Sequence, residues 1–415
     1  MQETISIIRN ECPESDCSSL MKMMSANEAE SALSFHKSFP QYSETPLAAL
    51  PSMAKMMGVR GIYVKDESFR FGLNAFKVLG CSYAMANHIA ELTGDDVSEM
   101  TYNKLTSDEL RDKVGQITFF TATDGNHGRG VAWAANKLRQ KSVVYMPSGS
   151  AEARLANIRA EGAEATIIDG NYDDAVRLAA SESAKIPGGV VVQDTAWEGY
   201  EKIPGWIMQG YGTMALEADS QLRSLETKAT HVFIQAGVGS LAGAITGYFK
   251  DAYNDKCPCI TIVEAEAANC LYRSAEAKEY KTVGGDLRTI MAGLACGEPN
   301  TIAWEILKNK ASFFASCPDW VAAKGIRLLG NPLYGDTRVI SGESGAVGMG
   351  LLSALTMYDD YTGLRSQLGL DENSVVLLFN TEGNTDPQIY REVVWDGEYS
   401  SMTGTYYRKG SQPIS

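Results

Sequence analysis

The stretch HVFIQAGVGSLAGAITG, residues 231–247, decides the fold. Its opening, His231–Ala236, is an apolar run without alternation, the pattern of a strand buried on both faces. Gly237-Val238-Gly239-Ser240 interrupts the run, and a helical pattern follows over Leu241–Tyr253. A buried strand passing through glycines into a helix begins a parallel βα unit. Closely spaced glycines let backbone amides approach a phosphate, and Ser240 could add a hydroxyl. The same string satisfies G-x-G-x-x-[GA] with Ala242 in the last place, and Glu264 ends the next strand. That is also the dinucleotide fingerprint. A phosphate cradle and a nicotinamide-dinucleotide site, the latter belonging to an oxidoreductase, both stand on this segment alone.

Working outward, short β-branched runs recur at Gly61–Val64, Ile117–Thr121, Val143–Met146, Ala165–Ile168, Val190–Val192, Ile260–Val263 and Val375–Phe379. Helical patterns separate them at Val131–Arg139, Ala151–Glu161, Asp173–Lys185 and Ala346–Met357. The expectation is an α/β protein of two open, mostly parallel sheets with helices on both faces. In such sheets ligands bind outside the carboxyl ends of the strands, here in a cleft shared by the two units. Thr93–Lys113 is charged and aperiodic and is expected to form a surface loop or insertion.

Composition narrows the function classes. The chain has 415 residues, enough for two or three domains, with 44% hydrophobic and 21% charged residues. That is ordinary globular usage. With 37 Lys+Arg against 51 Asp+Glu the net charge is −14. No basic field would draw in nucleic acid or an anionic membrane. No run of eighteen apolar residues occurs, and the first residues lack the basic and apolar regions of a secretory signal. Eight Cys lack paired zinc spacing, Cys257-Pro-Cys259 being too tight, and four His leave little for a metal site. A cytoplasmic enzyme with reduced thiols and no metal is expected.

Three further segments follow strand-like runs, and a fourth adjoins the last of them in sequence order. In KDESFRFGLNAFKVLG, residues 65–80, Lys77 opens the helical pattern Val78–His88. The positive end of a helix dipole disfavours its charge, which suits a Schiff-base lysine, although a solvated surface lysine has the same signature. In FFTATDGNHGRGVAWAA, residues 119–135, Gly125, Gly128 and Gly130 mark a strand-to-helix turn that suits an anion. Asp124 could equally cap that helix, Asn126 supply a turn and His127 fill the core. VVLLFNTEGNTD, residues 375–386, ends a buried strand in Thr381-Glu382-Gly383-Asn384. ISGESGAVGMG, residues 340–350, opens a helix with Ser344, Gly345 and Gly348. Both could be ordinary turns.

Lys77, the Gly-Asn-His-Gly turn, the Gly-Val-Gly loop and the late Thr-Glu-Gly form one ordered set. That set resembles the tryptophan-synthase-β-like, fold type II family of pyridoxal-phosphate enzymes from about residue 40 onward. VVQDTAWEGY (191–200), IMAGLACGEPN (290–300) and REVVW (391–395) add to the likeness. The resemblance implies pyridoxal 5'-phosphate as cofactor, bound in the interdomain cleft and held covalently by Lys77. It places Asn126 on the cofactor's phenolic oxygen and Gly237, Val238, Gly239, Ser240 and Leu241 on its phosphate. Thr381 falls on the ring nitrogen, where a hydroxyl cannot strongly favour a protonated ring. A large domain of residues 1–80 and 195–415, a small one of 81–194 and a homodimer are implied likewise.

The activity so implied is α,β-elimination of 2,3-diaminopropionate, D and L, to pyruvate and two ammonia. A serine or threonine dehydratase is the alternative within the family. Relatives commonly carry Ser or Ala before the Gly-Asn pair, whereas this chain has Asp124. A carboxylate there could act as base on the face opposite Lys77, or attract the β-ammonium. Asp194, in QDTAWEGY, is a second acidic candidate for that recognition, or else a structural acceptor.

Overall fold

A computed structural model describes residues 4–123 and 125–400 of the protein. Among them the strands are β1 (Ser6–Arg9), β2 (Leu47–Ala49), β3 (Gly61–Asp66), β4 (Thr118–Ala122), β5 (Lys141–Met146), β6 (Glu164–Ile167), β7 (Gly189–Val191), β8 (His231–Gln235), β9 (Cys259–Ala265), β10 (Phe313–Cys317) and β11 (Val375–Asn380). They form a seven-stranded sheet in the order β1-β10-β9-β8-β11-β3-β2 and a four-stranded sheet in the order β6-β5-β4-β7. The chain divides into two compact units. One holds the residues up to 18, residues 45–69 and those from 217 onward; the other holds 19–44 and 70–216.

In the first unit the strands from β10 to β3 run parallel, and only the edges β1 and β2 are antiparallel. β8, β10 and β11 are buried along their whole length, which is why β8 and β11 read as unbroken apolar runs. Helix Glu343–Met357, buried from Glu343 to Thr356, belongs to one core cluster with Phe233, Val263, Val376 and Leu378. Successive strands β8, β9 and β10 step toward one edge, whereas β11 lies on the other side of β8. The strand order therefore reverses between β8 and β11, and a reversal of this kind opens a ligand crevice at the carboxyl ends.

The second unit repeats the device. Its four strands are all parallel, and β4 has β5 on one side and β7 on the other. The reversal here falls between β4 and β7. Helix Asn126–Lys137 leaves the end of β4, and its buried residues Val131, Ala132, Trp133, Ala134 and Ala135 face the interior. Around the other side, Phe71 and Trp133 have ring centroids 4.9 Å apart, and Phe39 sits 5.8 Å from Phe71. His36 ties this cluster to its neighbours through Thr213 Oγ1 at 2.7 Å and the Leu79 carbonyl at 3.0 Å.

Eight strands fall where the apolar runs predict them. β1, β2 and β10 do not appear in that pattern: the first two are short edge strands, and β10 (FFASC) has only two large apolar residues. Residues 93–113 also differ from expectation. Instead of a loop they hold two short helices, Tyr102–Leu105 and Asp108–Val114, capped by the Thr101 and Ser107 side chains. Polar caps satisfy their first amides, and Met100, Leu105 and Leu110 are buried, so too few apolar residues are present to show a period.

Candidate active site

The second unit gathers charge at its strand reversal. Lys77 stands immediately before helix Val78–Thr93, whose other end is closed by Gly94 in the left-handed conformation. Its ammonium forms an ion pair with the Asp194 carboxylate, and it lies 5.4 Å from the centroid of the Phe76 ring. Asp194 sits just beyond β7 and is almost wholly buried. Burial by itself would raise its pKa, yet Lys77 and His127 beside it hold the carboxyl below the ordinary carboxylate range. His127 Nδ1 is 3.8 Å from Asp194 Oδ2, and its Nε2 is 2.9 Å from the Val192 carbonyl. The helix-start argument for Lys77 left out this counter-charge.

Gln193 fixes the two strand ends beneath these groups. Its Oε1 accepts from Thr121 Oγ1 at 2.8 Å and from the Ala122 amide at 3.2 Å, while its Nε2 donates to the Ala122 carbonyl at 3.1 Å. The ends of β4 and β7 are thus held together, with Asp194 following β7. Asn126 is the half-buried first residue of its helix. Asp124 lies outside the described residues.

Two glycines of that segment do something other than bind an anion. Gly128 and Gly130 lie inside the helix. A Cβ on Gly128 would meet Thr123 Cγ2 at 2.2 Å, and one on Gly130 would meet the Val78 amide nitrogen at 3.0 Å. They are glycines because this helix packs directly on the Thr123 side chain and on the backbone at Lys77–Val78, fixing the lysine's position.

The first unit carries an uncharged counterpart. After β8 the chain turns through Gly237 and Val238 to Gly239, which has φ +98° and precedes helix Ser240–Tyr253. A helix start leaves its first amides without intrahelical acceptors, as an anion site requires. Asn300 braces it: its amide donates to the Val238 carbonyl at 2.7 Å, and its Nδ2 donates to Ser240 Oγ at 2.9 Å. A Cβ on Gly239 would press on Leu271 Cδ1 at 3.1 Å, and one on Gly237 on Cys296 Sγ at 3.0 Å. The protein's own packing therefore already demands glycine at both positions. Leu241 follows in the first helical turn and is buried.

Beside this loop, the neighbouring end of β11 presents Thr381, whose Oγ1 accepts from Gln235 Nε2 at 2.8 Å. Glu382 Oε1 accepts from the Ser344 amide at 3.2 Å, and Ser344 Oγ accepts from the Gly293 amide at 3.1 Å. Gly345 has no room for a side chain, since a Cβ would stand 2.4 Å from Asn380 Oδ1. These residues of the 340–350 and 381–384 segments serve as mutual supports. Gln193, Gln235 and Asn300 were missed by motif reasoning because an amide side chain alone signals no chemistry.

The dinucleotide reading fails on Glu264. That residue is fully buried in β9, and its carboxylate accepts from the amides of Leu271 at 2.8 Å and Tyr272 at 2.6 Å. It is committed to the start of helix Cys270–Ala277 and cannot serve a ribose.

Residues 39–379 match the family model described as pyridoxal-phosphate dependent enzyme. The chain belongs to the pyridoxal-phosphate-dependent enzymes. Diaminopropionate ammonia-lyase of Escherichia coli K12 is 50% identical over 379 residues, covering 91% of this chain and 94% of that protein. The crystal structure of the Escherichia coli enzyme in complex with an aminoacrylate-PLP azomethine reaction intermediate superposes with a TM-score of 0.88 at 47% identity, covering 96% of this chain and 99% of the other. The same enzyme in complex with D-serine gives 0.89 at 48% identity, with the same coverage of 96% and 99%. The groups described fit the family's cofactor. A lysine at a helix start, held by packing glycines, offers its amine; a left-handed glycine turns helix amides toward a phosphate; and a strand-end hydroxyl, oriented by a neighbouring amide, suits a ring nitrogen. Among the described residues no helix is long and apolar enough to cross a membrane.

Proposed function

We propose that the chain catalyses elimination of 2,3-diaminopropionate, which with one water yields pyruvate and two ammonia. The observation that carries this reading is the 50% identity to diaminopropionate ammonia-lyase across nine-tenths of the chain. The Lys77–Asp194 pair gives it a chemical basis. When bound, the cofactor supplies an electron sink for the α-carbon. Lys77 would hold it covalently and, with its amine free, would take the substrate's α-proton from one face. Gly237, Val238, Gly239, Ser240 and Leu241 hold the phosphate, Asn126 the phenolic oxygen and Thr381 the ring nitrogen. Asp194, ionised and buried, attracts the second ammonium, a group that serine and threonine lack. Asp124 is proposed, on sequence grounds, as the base for the opposite face. Cytoplasmic location and a homodimer are proposed from the family resemblance.

Turnover of both enantiomers of diaminopropionate, D-serine, L-serine and L-threonine tests the reading. Diaminopropionate should be preferred in both forms; preference for serine or threonine would replace the reading with the dehydratase. In the same assay Asp124→Asn should lower turnover of the D-isomer by about 10²–10⁴, the usual contribution of a general base. The L-isomer should suffer much less, and an equal loss on both would remove Asp124 from proton transfer.

A further inference from the structure

Gln235 is the last residue of β8 and is only 2% exposed. Its Nε2 lies 2.8 Å from the Phe379 carbonyl and 2.8 Å from Thr381 Oγ1. A backbone carbonyl can only accept, so the Phe379 contact settles which end of the amide faces β11. The nitrogen's second proton then points at the Thr381 hydroxyl. Thr381 is the acceptor in that bond, and its own proton is left for another group.

We infer that Gln235 is a positioning residue that makes Thr381 a hydrogen-bond donor to an unprotonated ring nitrogen of the cofactor. The inference rests on the reading above, in which Thr381 faces that nitrogen. A lone hydroxyl serves a pyridine nitrogen as donor or a pyridinium N–H as acceptor with little bias. Donation by Gln235 removes one of its two lone pairs and polarises the O–H bond, so the donor role strengthens and the acceptor role weakens. The ring's protonation state is then set by a side chain that need not touch it.

The test uses the holoenzyme loaded with cofactor labelled with ¹⁵N in the ring. The wild-type resonance should lie at the unprotonated position. Gln235→Glu replaces the donor with an acceptor, so the Thr381 proton turns toward the carboxylate and the ring resonance should move toward the protonated position. Gln235→Met removes the donor at similar length and reads the same contact should the Glu variant not fold. It should weaken cofactor affinity about two- to tenfold, the worth of one neutral hydrogen bond. Adding it to Thr381→Val should cost no further affinity. If Thr381→Val shifts resonance and affinity while neither Gln235 variant does, the inference falls and the reading of Thr381 stands. If Thr381→Val changes neither, that reading fails and takes the inference with it.

Discussion

Each unit braces the carboxyl ends of the two strands flanking its reversal with a glutamine, and the two glutamines are used differently. Gln193 spends both ends of its amide on β4 and on Tyr172, so its work is to hold Asp194 against the end of β4. Gln235 sends one donor into the sheet and the other to a hydroxyl at the strand end. The chemistry differs in the same sense. At the β4–β7 reversal the groups are ionisable: a lysine, a buried carboxylate and a histidine. At the β8–β11 reversal they are backbone amides, a hydroxyl and glycines. Proton transfer needs groups that change charge, whereas anchoring a phosphate and a neutral ring nitrogen needs fixed dipoles that do not. Substitutions at the first place should act on turnover and ionisation, and those at the second on cofactor affinity.

Lys77 offers the sharpest way to break that contrast. Lys77→Ala should lower turnover beyond the roughly 10²–10⁴ that loss of a general base alone costs, since the covalent anchor goes with it. Borohydride reduction of the wild-type holoenzyme followed by peptide mapping should place the label on Lys77, and a label on another lysine would reject the assignment. The same substitution strands a buried carboxylate. Removing one partner of a fully buried pair costs about 3–5 kcal/mol, and water that reaches Lys77 should reduce that figure. Adding Asp194→Asn should therefore restore much of the lost stability in a urea titration while restoring no turnover.

At the other reversal Gly239→Val should act on binding. A β-branched residue at φ +98° carries roughly 1–3 kcal/mol of backbone strain, and its Cβ meets Leu271. If the loop relieves that strain by giving up its amide geometry, pyridoxal-phosphate affinity should fall roughly ten- to a hundredfold. Turnover at saturating cofactor should fall far less. A variant that binds normally but turns over slowly would erase the division of labour between the two places.

How much of this was legible in the sequence follows from the kind of signal each part leaves. Eight strands were visible as apolar, β-branched runs, and β4, β8 and β11 among them are buried along their whole length, where a strand covered on both faces has to be apolar. The edge strands β1 and β2 bury only one residue each, and the capped helices near residue 105 are too short for a period. Lys77, Asp194 and Thr381 could be named because their chemistry is rare at strand ends and their order resembles a family. The Lys77–Asp194 pairing could not, since 117 residues separate its members in the chain. Gly128 and Gly130 show the opposite error: glycines in a strand-to-helix segment invite a ligand, although Gly128 makes room for the Thr123 and Val144 side chains and Gly130 for the start of the Val78–Thr93 helix.

The smallest expected effect on turnover comes from Glu264, one strand away from the Gly237–Gly239 loop, and it separates two physical causes. Burial pushes this carboxyl up to about 8 from an ordinary value of 4.5, while the two amides it accepts at a helix start pull the other way. If burial prevails, the folded chain binds this proton more tightly than the unfolded chain. The stability so gained is complete below about 4.5 and disappears as pH rises through about 8. Glu264→Gln mimics the protonated acid at every pH. Relative to that variant, the wild type should lose ground steadily between pH 5 and pH 8, read as the urea midpoint at each pH. If the wild type instead gains on the variant as pH rises, the amides of Leu271 and Tyr272 govern the group. Glu264 would then be a helix-capping carboxylate whose charge the fold depends on.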